Sequence, residues 1–521
     1  MAKKQVNQSA SPKKQRNRPK KRTTPSTGSV TDYVLNVIPV HLHSLTIAQA
    51  TALVVGLTLS TLILFKEVRY LDREASQEER FGGWRPASDD ILQKYGSDVC
   101  SVERVSVHDL SPERFEEEFR FKKSVLVTFP KGSAGWTDPY QWSRQGLVDA
   151  YSSWAIHSGQ SLEIVRAGGN AKHKTSFLDF VEKLLDNPKN GTQEPMNYGF
   201  DRHFYWETKL PETLRLPKYF QVNNVTEDSI FFLGSSMTGV VFHKHSDTWN
   251  GVVYGQKRWF LYPTNKSPPG GIHHGYSLLD WVNNVYPNLP EADKPMECVQ
   301  EAGEILYLPE GMYHATLNLG DTIALAIQKK TATLPSEVLS YEATSTINML
   351  QDSPDNVPVD KFHQRLKEIY EKWHELLPEN AEAVEKLGGT LYDMGQYKES
   401  LPLLMKAIKL DPYFVLAYVH MAKTLSKLRE YQRAEVVFQK AMEVNPNLWD
   451  IYKEYGEFLL KQGRPADALP IYKKGTELMP DLMPFWQYYK YCQQQVGDLE
   501  GAEETERAIV DLQAKKDLNN S

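Results

Sequence analysis

The chain has 521 residues, of which 41% are hydrophobic and 24% are charged, and this composition excludes collagen-like and wholly disordered proteins. Its three cysteines, Cys100, Cys298 and Cys492, are too few for a disulfide scaffold or a cysteine-based zinc site. The net charge of −6 divides unevenly, since residues 1–43 carry nine Lys/Arg and one Asp, or +8, and the rest of the chain carries −14. An acidic body predicts no nucleic-acid partner, because nucleic-acid-binding domains present a basic face.

The first predicted element is a membrane-spanning helix. Residues 45–65 contain no charged side chain, and 21 helical residues at ~1.5 Å rise each span the ~30 Å hydrocarbon core of a bilayer. The apolar run exceeds the roughly 7–15 residues of a cleaved signal peptide, and no small-residue cleavage site follows it. Because the positive charges precede the span, the sequence predicts a signal anchor with a cytoplasmic tail (1–43) and a transmembrane segment (44–66). The later domains are then expected in the lumen of the endomembrane system, with the endoplasmic reticulum as the expected compartment.

A juxtamembrane linker (67–95) leads to a middle region (96–335) of short apolar runs separated by turn residues. Many short strands without regular helices between them predict an antiparallel barrel or jelly roll. Gly255-Gln256 is predicted to form a hairpin turn between two of the strands. The runs read as strands are 124–129, 229–234, 251–254, 257–262, 304–308 and 322–327.

Two passages of the middle region carry candidate metal ligands. Side chains at i and i+2 of a strand share a face, so either His243 with His245 or His245 with Asp247 can point into a barrel. The second passage supplies a distant histidine, His314. Two close ligands and one distant histidine match the 2-His-1-carboxylate arrangement that leaves open positions on ferrous iron.

The middle region resembles the JmjC family of iron- and 2-oxoglutarate-dependent oxygenases. The resemblance rests on Gly-Gln-Lys-Arg-Trp-Phe-Leu-Tyr-Pro at 255–263 and on the Gly-Glu…Pro…His-Ala-Thr-Leu-Asn passage at 303–318. It implies a cupin-like double-stranded β-helix (a jelly-roll barrel) that uses Fe(II) and the cosubstrate 2-oxoglutarate to hydroxylate a C–H bond. It also implies that Lys257 pairs with the distal carboxylate of 2-oxoglutarate.

The family pattern leaves the ligand pair open. In the family the second ligand lies further from the lysine than Asp247, which is ten residues before Lys257, or His245, which is twelve before it. Spacing therefore favours His243 with His245, whereas chemistry favours His245 with Asp247, because a carboxylate suits ferrous iron. An additional pair, His273-His274, follows Pro-Pro-Gly-Gly and is predicted to lie in a loop.

The C-terminal third repeats with a period of 34 residues. Pro378, Pro412, Pro446 and Pro480 are each 34 residues apart, and small residues keep the same register. This section resembles the tetratricopeptide repeat family, which implies an all-α solenoid over 380–513, preceded by a linker and partial helical repeat (336–379) and followed by a tail (514–521). Such solenoids bind extended peptides on their concave face, so a protein or peptide partner is expected.

Two functions follow from these elements. The first is a membrane-anchored, lumen-facing Fe(II)/2-oxoglutarate-dependent oxygenase, expected to be a protein hydroxylase whose repeats hold substrate or partner. The second is a catalytically inactive JmjC-fold scaffold that acts through its repeats. Cys100 and Cys298 could form a disulfide in an oxidising lumen, but their spacing does not decide it.

Overall fold

The computed structural model describes residues 80–166, 169–185, 198–220, 222, 225–272, 276–352 and 358–520. No helix within these ranges is long and apolar enough to cross a membrane, and the predicted transmembrane segment (44–66) lies outside them. The described residues form a β domain followed by a helical region.

In the described residues, the strands of the β domain form one 11-stranded sheet. Its strand order is β1-β2-β10-β8-β11-β6-β5-β3-β4, with β7 on β11 and β9 on β8, and every pairing except β1 with β2 is antiparallel. The strands are β1 (Glu103–Ser106), β2 (Val125–Thr128), β3 (Ala155–Gly159), β4 (His173–Ser176), β5 (Tyr198–Asp201), β6 (Glu227–Gly234), β7 (Gly239–His243), β8 (Thr248–Tyr262), β9 (Met296–Gln300), β10 (Ile305–Leu308) and β11 (Tyr313–Lys329).

The two longest strands, β8 and β11, run through both halves of the sheet. Their pairing extends from Tyr313 opposite Tyr262 to Gln328 opposite Thr248. One half of β11 also pairs with β7, and the other half pairs with β6. The sheet therefore folds over itself around an interior cavity, as expected for a jelly roll.

The fold-over occurs at a glycine that sequence reasoning placed in a hairpin. Gly255 has φ +82°, and a Cβ there would lie 2.3 Å from the carbonyl oxygen of Asp321 on β11. Only glycine fits this close backbone approach at a bend. The predicted hairpin at Gly255-Gln256 is wrong, because β8 continues through this bend as one strand.

Short helices pack against the sheet, some of them on β6 and others on β7 and β11. Trp142, for example, stacks on Phe231 of β6 with ring centroids 6.1 Å apart. Both rings belong to the main apolar core of the domain. The short helices are Asp89–Tyr95, Pro112–Arg114, Pro139–Trp142, Arg144–Tyr151, Ser161–Arg166, Phe177–Asp179, Phe204–Glu207 and Leu278–Asp280.

The helical region consists of two helices followed by four antiparallel helix pairs. Small residues lie where helices cross: a Cβ at Gly475 would lie 2.2 Å from the Phe485 ring, and one at Gly456 would lie 2.5 Å from the Tyr472 ring. The predicted all-α repeat region is confirmed. The helices are α1 (Pro335–Asp352), α2 (Val359–Leu376), α3 (Ala381–Asp393), α4 (Tyr397–Leu410), α5 (Val415–Lys427), α6 (Tyr431–Val444), α7 (Trp449–Lys461), α8 (Pro465–Leu478), α9 (Met483–Val496) and α10 (Leu499–Asn520).

Buried polar contacts join the first repeats to the β domain. The hydroxyl of Tyr313, the first residue of β11, donates to Glu382 Oε2 of α3 at 2.9 Å and accepts from Asn380 Nδ2 at 3.1 Å. The Gly270 amide donates to Asp411 Oδ2, just after α4, at 2.7 Å. The β domain and the repeats therefore share an interface that begins next to His314.

Candidate metal centre

Three histidines converge inside the β domain. His243 ends β7, His245 lies in the following loop, and His314 on β11 stands opposite His243 in the strand register. Ring centroids are 4.2 Å apart for His243 and His314, 4.7 Å for His245 and His314, and 5.4 Å for His243 and His245. Each ring offers a nitrogen within 4.8 Å of the other two. Since nitrogen ligands lie about 2 Å from a metal, a small adjustment brings all three onto one ion.

Backbone carbonyls orient the three rings. The Nδ1 atoms of His243, His245 and His314 each lie 2.8 Å from a carbonyl oxygen, that of Val241, Ser246 and Met312 respectively. A carbonyl only accepts, so Nδ1 carries the proton and Nε2 is the atom through which each ring would ligate. A carbonyl contact on the second nitrogen is the usual way in which proteins fix a metal-binding histidine.

Burial favours the neutral form of two of these rings, His245 and His314. It lowers the pKa of His245 to about 4, and it lowers the pKa of His314 well below its ordinary value, with His243 and His245 adding to the effect. Metals bind the neutral imidazole, so these side chains need lose no proton at neutral pH.

Asp247 is not brought into this group. Its carboxylate lies 2.9 Å from Nη1 of Arg120 and accepts a hydrogen bond from the Tyr307 hydroxyl. The expectation that His245 and Asp247 share a strand face fails because residues 244–247 leave the strand conformation between β7 and β8. The structure therefore assembles the His243/His245 alternative with His314.

Lys257 lies in the same cavity as the histidines. The cavity has a volume of about 300 Å³, and its apolar wall includes Ile230, Phe232 and Val240. Lys257 is 1% exposed, and its Nζ lies 3.0 Å from the Tyr198 hydroxyl and 2.9 Å from Asn318 Oδ1. A solvated lysine, the ordinary role for this residue type after a turn, is thus ruled out at this position.

The lysine is a buried cation with neutral contacts. No carboxylate of the described residues forms an ion pair with it, and desolvation lowers its pKa to about 7. A buried charge without a counter-ion is costly, so this position fits an anionic ligand. The residues present therefore fit a divalent metal at one end of the cavity and a carboxylate at the other.

Sequence reasoning did not single out three further residues of the cavity. Asn318 lies four residues after His314 on β11, so strand alternation could have placed both on one face. Asn250, 3% exposed, lines the cavity with a side-chain oxygen that has no hydrogen-bond partner in the described part of the chain. Tyr198 comes from a distant strand, and no local pattern marks it. His273 and His274 lie outside the described residues.

Comparison with known proteins defines the class of this domain. A cupin-like domain family matches residues 84–327, and a tetratricopeptide repeat family matches residues 381–414 and 415–448. Human JmjC domain-containing protein 8 (Homo sapiens) is 30% identical over 263 residues, which cover 48% of this chain and 91% of that protein. The chain belongs to the JmjC domain family, with tetratricopeptide repeats after the cupin-like domain.

Other members of the family carry names that state an activity. The 2-oxoglutarate and iron-dependent oxygenase JMJD4 of Gallus gallus is 24% identical over 237 residues, 40% of this chain and 56% of that protein. The bifunctional arginine demethylase and lysyl-hydroxylase psr-1 of Caenorhabditis elegans is 24% identical over 294 residues, 50% of this chain and 69% of that protein. Two JmjC relatives of this chain are thus named as an iron- and 2-oxoglutarate-dependent oxygenase and as a demethylase and hydroxylase.

The arrangement predicts which substitutions abolish metal binding. His243→Ala, His245→Ala and His314→Ala should each strongly weaken Co(II) binding. Loss of a residue that only contacts a ligand costs about 10–100-fold in metal affinity, and loss of a ligand itself should cost more. Asp247→Asn, which keeps the side-chain size but removes the charge facing Arg120, should leave the affinity within a few-fold. Titration of each variant with Co(II), followed by visible absorption, measures this. Loss of binding in Asp247→Asn with retention in His243→Ala would establish the other ligand pair.

Proposed function

We propose that this protein is an Fe(II)- and 2-oxoglutarate-dependent oxygenase, specifically a protein hydroxylase. The observation that carries the proposal is the meeting in a single cavity of three histidines and one buried lysine that has no carboxylate partner among the described residues. The tetratricopeptide repeats, a type of module that binds proteins and peptides, would hold the substrate chain or a partner.

Each cavity residue then has a defined task. His243, His245 and His314 would hold Fe(II), and the Lys257 ammonium would neutralise the distal carboxylate of 2-oxoglutarate. When bound, iron and 2-oxoglutarate would supply the activation of O2 that hydroxylates a C–H bond, with 2-oxoglutarate leaving as succinate and CO2. Tyr198 and Asn318 hold the lysine in place, and the apolar wall at Ile230 and Phe232 keeps bulk water away from it.

Charge balance supports a dianionic cosubstrate. Three imidazoles contribute no negative charge to a divalent metal, and Lys257 adds a further positive charge in the same buried space. A dicarboxylate offsets both, so metal and 2-oxoglutarate should strengthen each other's binding by the same factor.

A second candidate function is the scaffold, and the ligand set favours it. Histidine replaces the carboxylate that is usual in ferrous oxygenases, and the Asp247 carboxylate forms an ion pair with Arg120 instead. In that case the cavity would take no part in the function, and the repeats alone would carry it.

Spectroscopy and turnover separate the two functions. We expect the full chain with Fe(II) and 2-oxoglutarate under anaerobic conditions to show the visible charge-transfer band of the chelated complex. Addition of oxygen should then convert 2-oxoglutarate to succinate and CO2. Lys257→Met should weaken 2-oxoglutarate binding by about tenfold or more, since it removes a charge-assisted contact. Lys266→Met, at a partly exposed surface lysine of the same domain, is the matched control. A folded chain that gives neither band nor succinate would support the scaffold.

Cosubstrate binding should depend on pH through Lys257. Its pKa is about 7 before binding, and an adjacent carboxylate raises it, so the complex holds more protons than the free protein above that pH. The affinity for 2-oxoglutarate should therefore fall as pH rises above about 7, by up to about tenfold per pH unit. Calorimetric titration between pH 6.5 and 8.5 measures the slope. An equal slope in Lys257→Met would show that another group is responsible.

We further propose that the chain is anchored by residues 45–65, with its N-terminus in the cytoplasm and its later domains in the lumen, as expected in the endoplasmic reticulum. The disulfide between Cys100 and Cys298, which ties the segment before β1 to β9, supports an oxidising compartment. Asn265 of the Asn-Lys-Ser sequon is exposed, which is compatible with a lumenal domain.

The three cysteines provide their own test of compartment. After acid quenching and denaturation, alkylation without reduction should modify Cys492 alone, because Cys492 is a free thiol and the other two are paired. Reduction first should expose all three. Protease added to intact microsomes should leave residues 80–520 undigested. Alkylation of all three cysteines without reduction, or digestion of the domains, would place them on the cytoplasmic side.

A further inference from the structure

The residue between two of the histidines takes part in a buried ion pair. Lys244 Nζ lies 2.8 Å from Oε1 of Glu337, and the two side chains are only 4% and 7% exposed. The ammonium also lies 4.7 Å from the centroid of the Trp373 ring and 5.2 Å from that of Tyr313. The pair therefore joins helix α1 to residues 244–247 between β7 and β8, which we call the histidine loop. The lysine side chain also contacts α2.

Glu337 is held in place by the turn before β11. The Glu310 carboxylate accepts from the amides of Thr333 at 2.6 Å and Leu334 at 3.0 Å, which fixes the chain just before α1. Gly311 has φ +76°, and a Cβ there would lie 2.9 Å from the Glu337 carboxyl carbon. The Gly311 amide donates to the carbonyl of His245 at 2.9 Å. One turn thus contacts both the histidine loop and the helix that supplies Glu337.

The histidine loop needs such support because no strand holds it. Residues 244–247 lie between β7 and β8, so His245 has no place in the ladder that fixes His314. Removing one partner of a buried ion pair leaves an uncompensated charge, which is strongly destabilising locally. Lys244 would then move toward water, and the backbone that carries His243 and His245 would move with it.

We propose that Lys244 and Glu337 are positioning residues that hold His243 and His245 in metal-binding geometry. The inference rests on the proposed metal centre and adds that the centre depends on the helical region, because Glu337 belongs to α1. The geometry of the loop that carries His245 is therefore set in part by a contact with a helix that leads into the repeats.

The test is Co(II) binding by full-chain variants, followed by visible d–d absorption and thermal unfolding. Lys244→Met and Glu337→Gln should each lower Co(II) affinity by about tenfold or more, the size expected for an outer-shell contact, and should alter the absorption spectrum. Two further variants should recover part of the lost Co(II) affinity and part of the wild-type spectrum. One is Lys244→Arg, which keeps the charge, and the other is the exchanged pair Lys244→Glu with Glu337→Lys.

Arg258→Met is the matched control, because it breaks another buried ion pair of the same domain. Nη2 of Arg258 lies 2.6 Å from Oε2 of Glu297, and the two side chains are 7% and 10% exposed. Arg258 also donates a hydrogen bond to the Tyr95 carbonyl rather than to any of the three histidines. We expect this variant to unfold at lower temperature but to keep the wild-type spectrum and Co(II) affinity.

Three outcomes are distinguishable. Unchanged Co(II) affinity and spectrum in folded Lys244→Met overturn the positioning role while leaving the metal centre intact. An equal loss of affinity in Arg258→Met also overturns it, since the effect would then follow from stability alone. No Co(II) binding by the wild-type chain overturns the proposed metal centre itself.

Discussion

The pairing of β8 with β11 positions the two ends of the cavity, because His314 lies on β11 at the histidine end and Lys257 lies on β8 at the other end. His314 and Asn318 lie four residues apart on β11, a separation of about 13 Å at the rise of an antiparallel strand. Lys257 on β8 stands opposite Asn318 in the register, and its ammonium contacts that side chain. The separation between the histidine end and the lysine end is thus set by backbone geometry, which changes little with side-chain fluctuation.

Electrostatics then defines what the cavity can accept. Burial keeps His245 and His314 neutral and makes the charged form of Lys257 costly. The Lys257 end of the cavity has no counter-ion among the described residues. A divalent metal on the histidines would add positive charge at the other end, and a small anion with two separated charges complements that distribution better than a neutral or cationic molecule does.

Short motifs and the repeat period predict much of this architecture from sequence. The 34-residue spacing of prolines is sufficient for the repeats, and His243, His245, His314 and Lys257 are all residues that strand spacing or family resemblance singles out. Choosing between His243 and Asp247 required the structure, because alternation assumes a continuous strand and residues 244–247 are a loop.

The errors and omissions have a common physical cause. Gly255 has the local signature of a turn, yet the distant Asp321 backbone packs against it and converts the turn into a bend within β8. Tyr198, and the contact between Lys244 and Glu337, likewise depend on elements far apart in sequence. Local patterns carry no information about such approaches, so they are visible only in three dimensions.

The interface between the β domain and the repeats has a consequence for how this protein can change over evolution. Its anchoring contacts come from the first two repeats: Asp411 accepts from Gly270, Phe414 packs on Gly271, and the Tyr276 hydroxyl donates to the Val444 carbonyl at 2.6 Å. Since each repeat of a solenoid contacts mainly its neighbours, the chain beyond α6 can lengthen, shorten or diversify with little effect on the cavity. The C-terminal half of the solenoid is therefore the part of the molecule in which new partner preferences can arise at least cost to the histidine site.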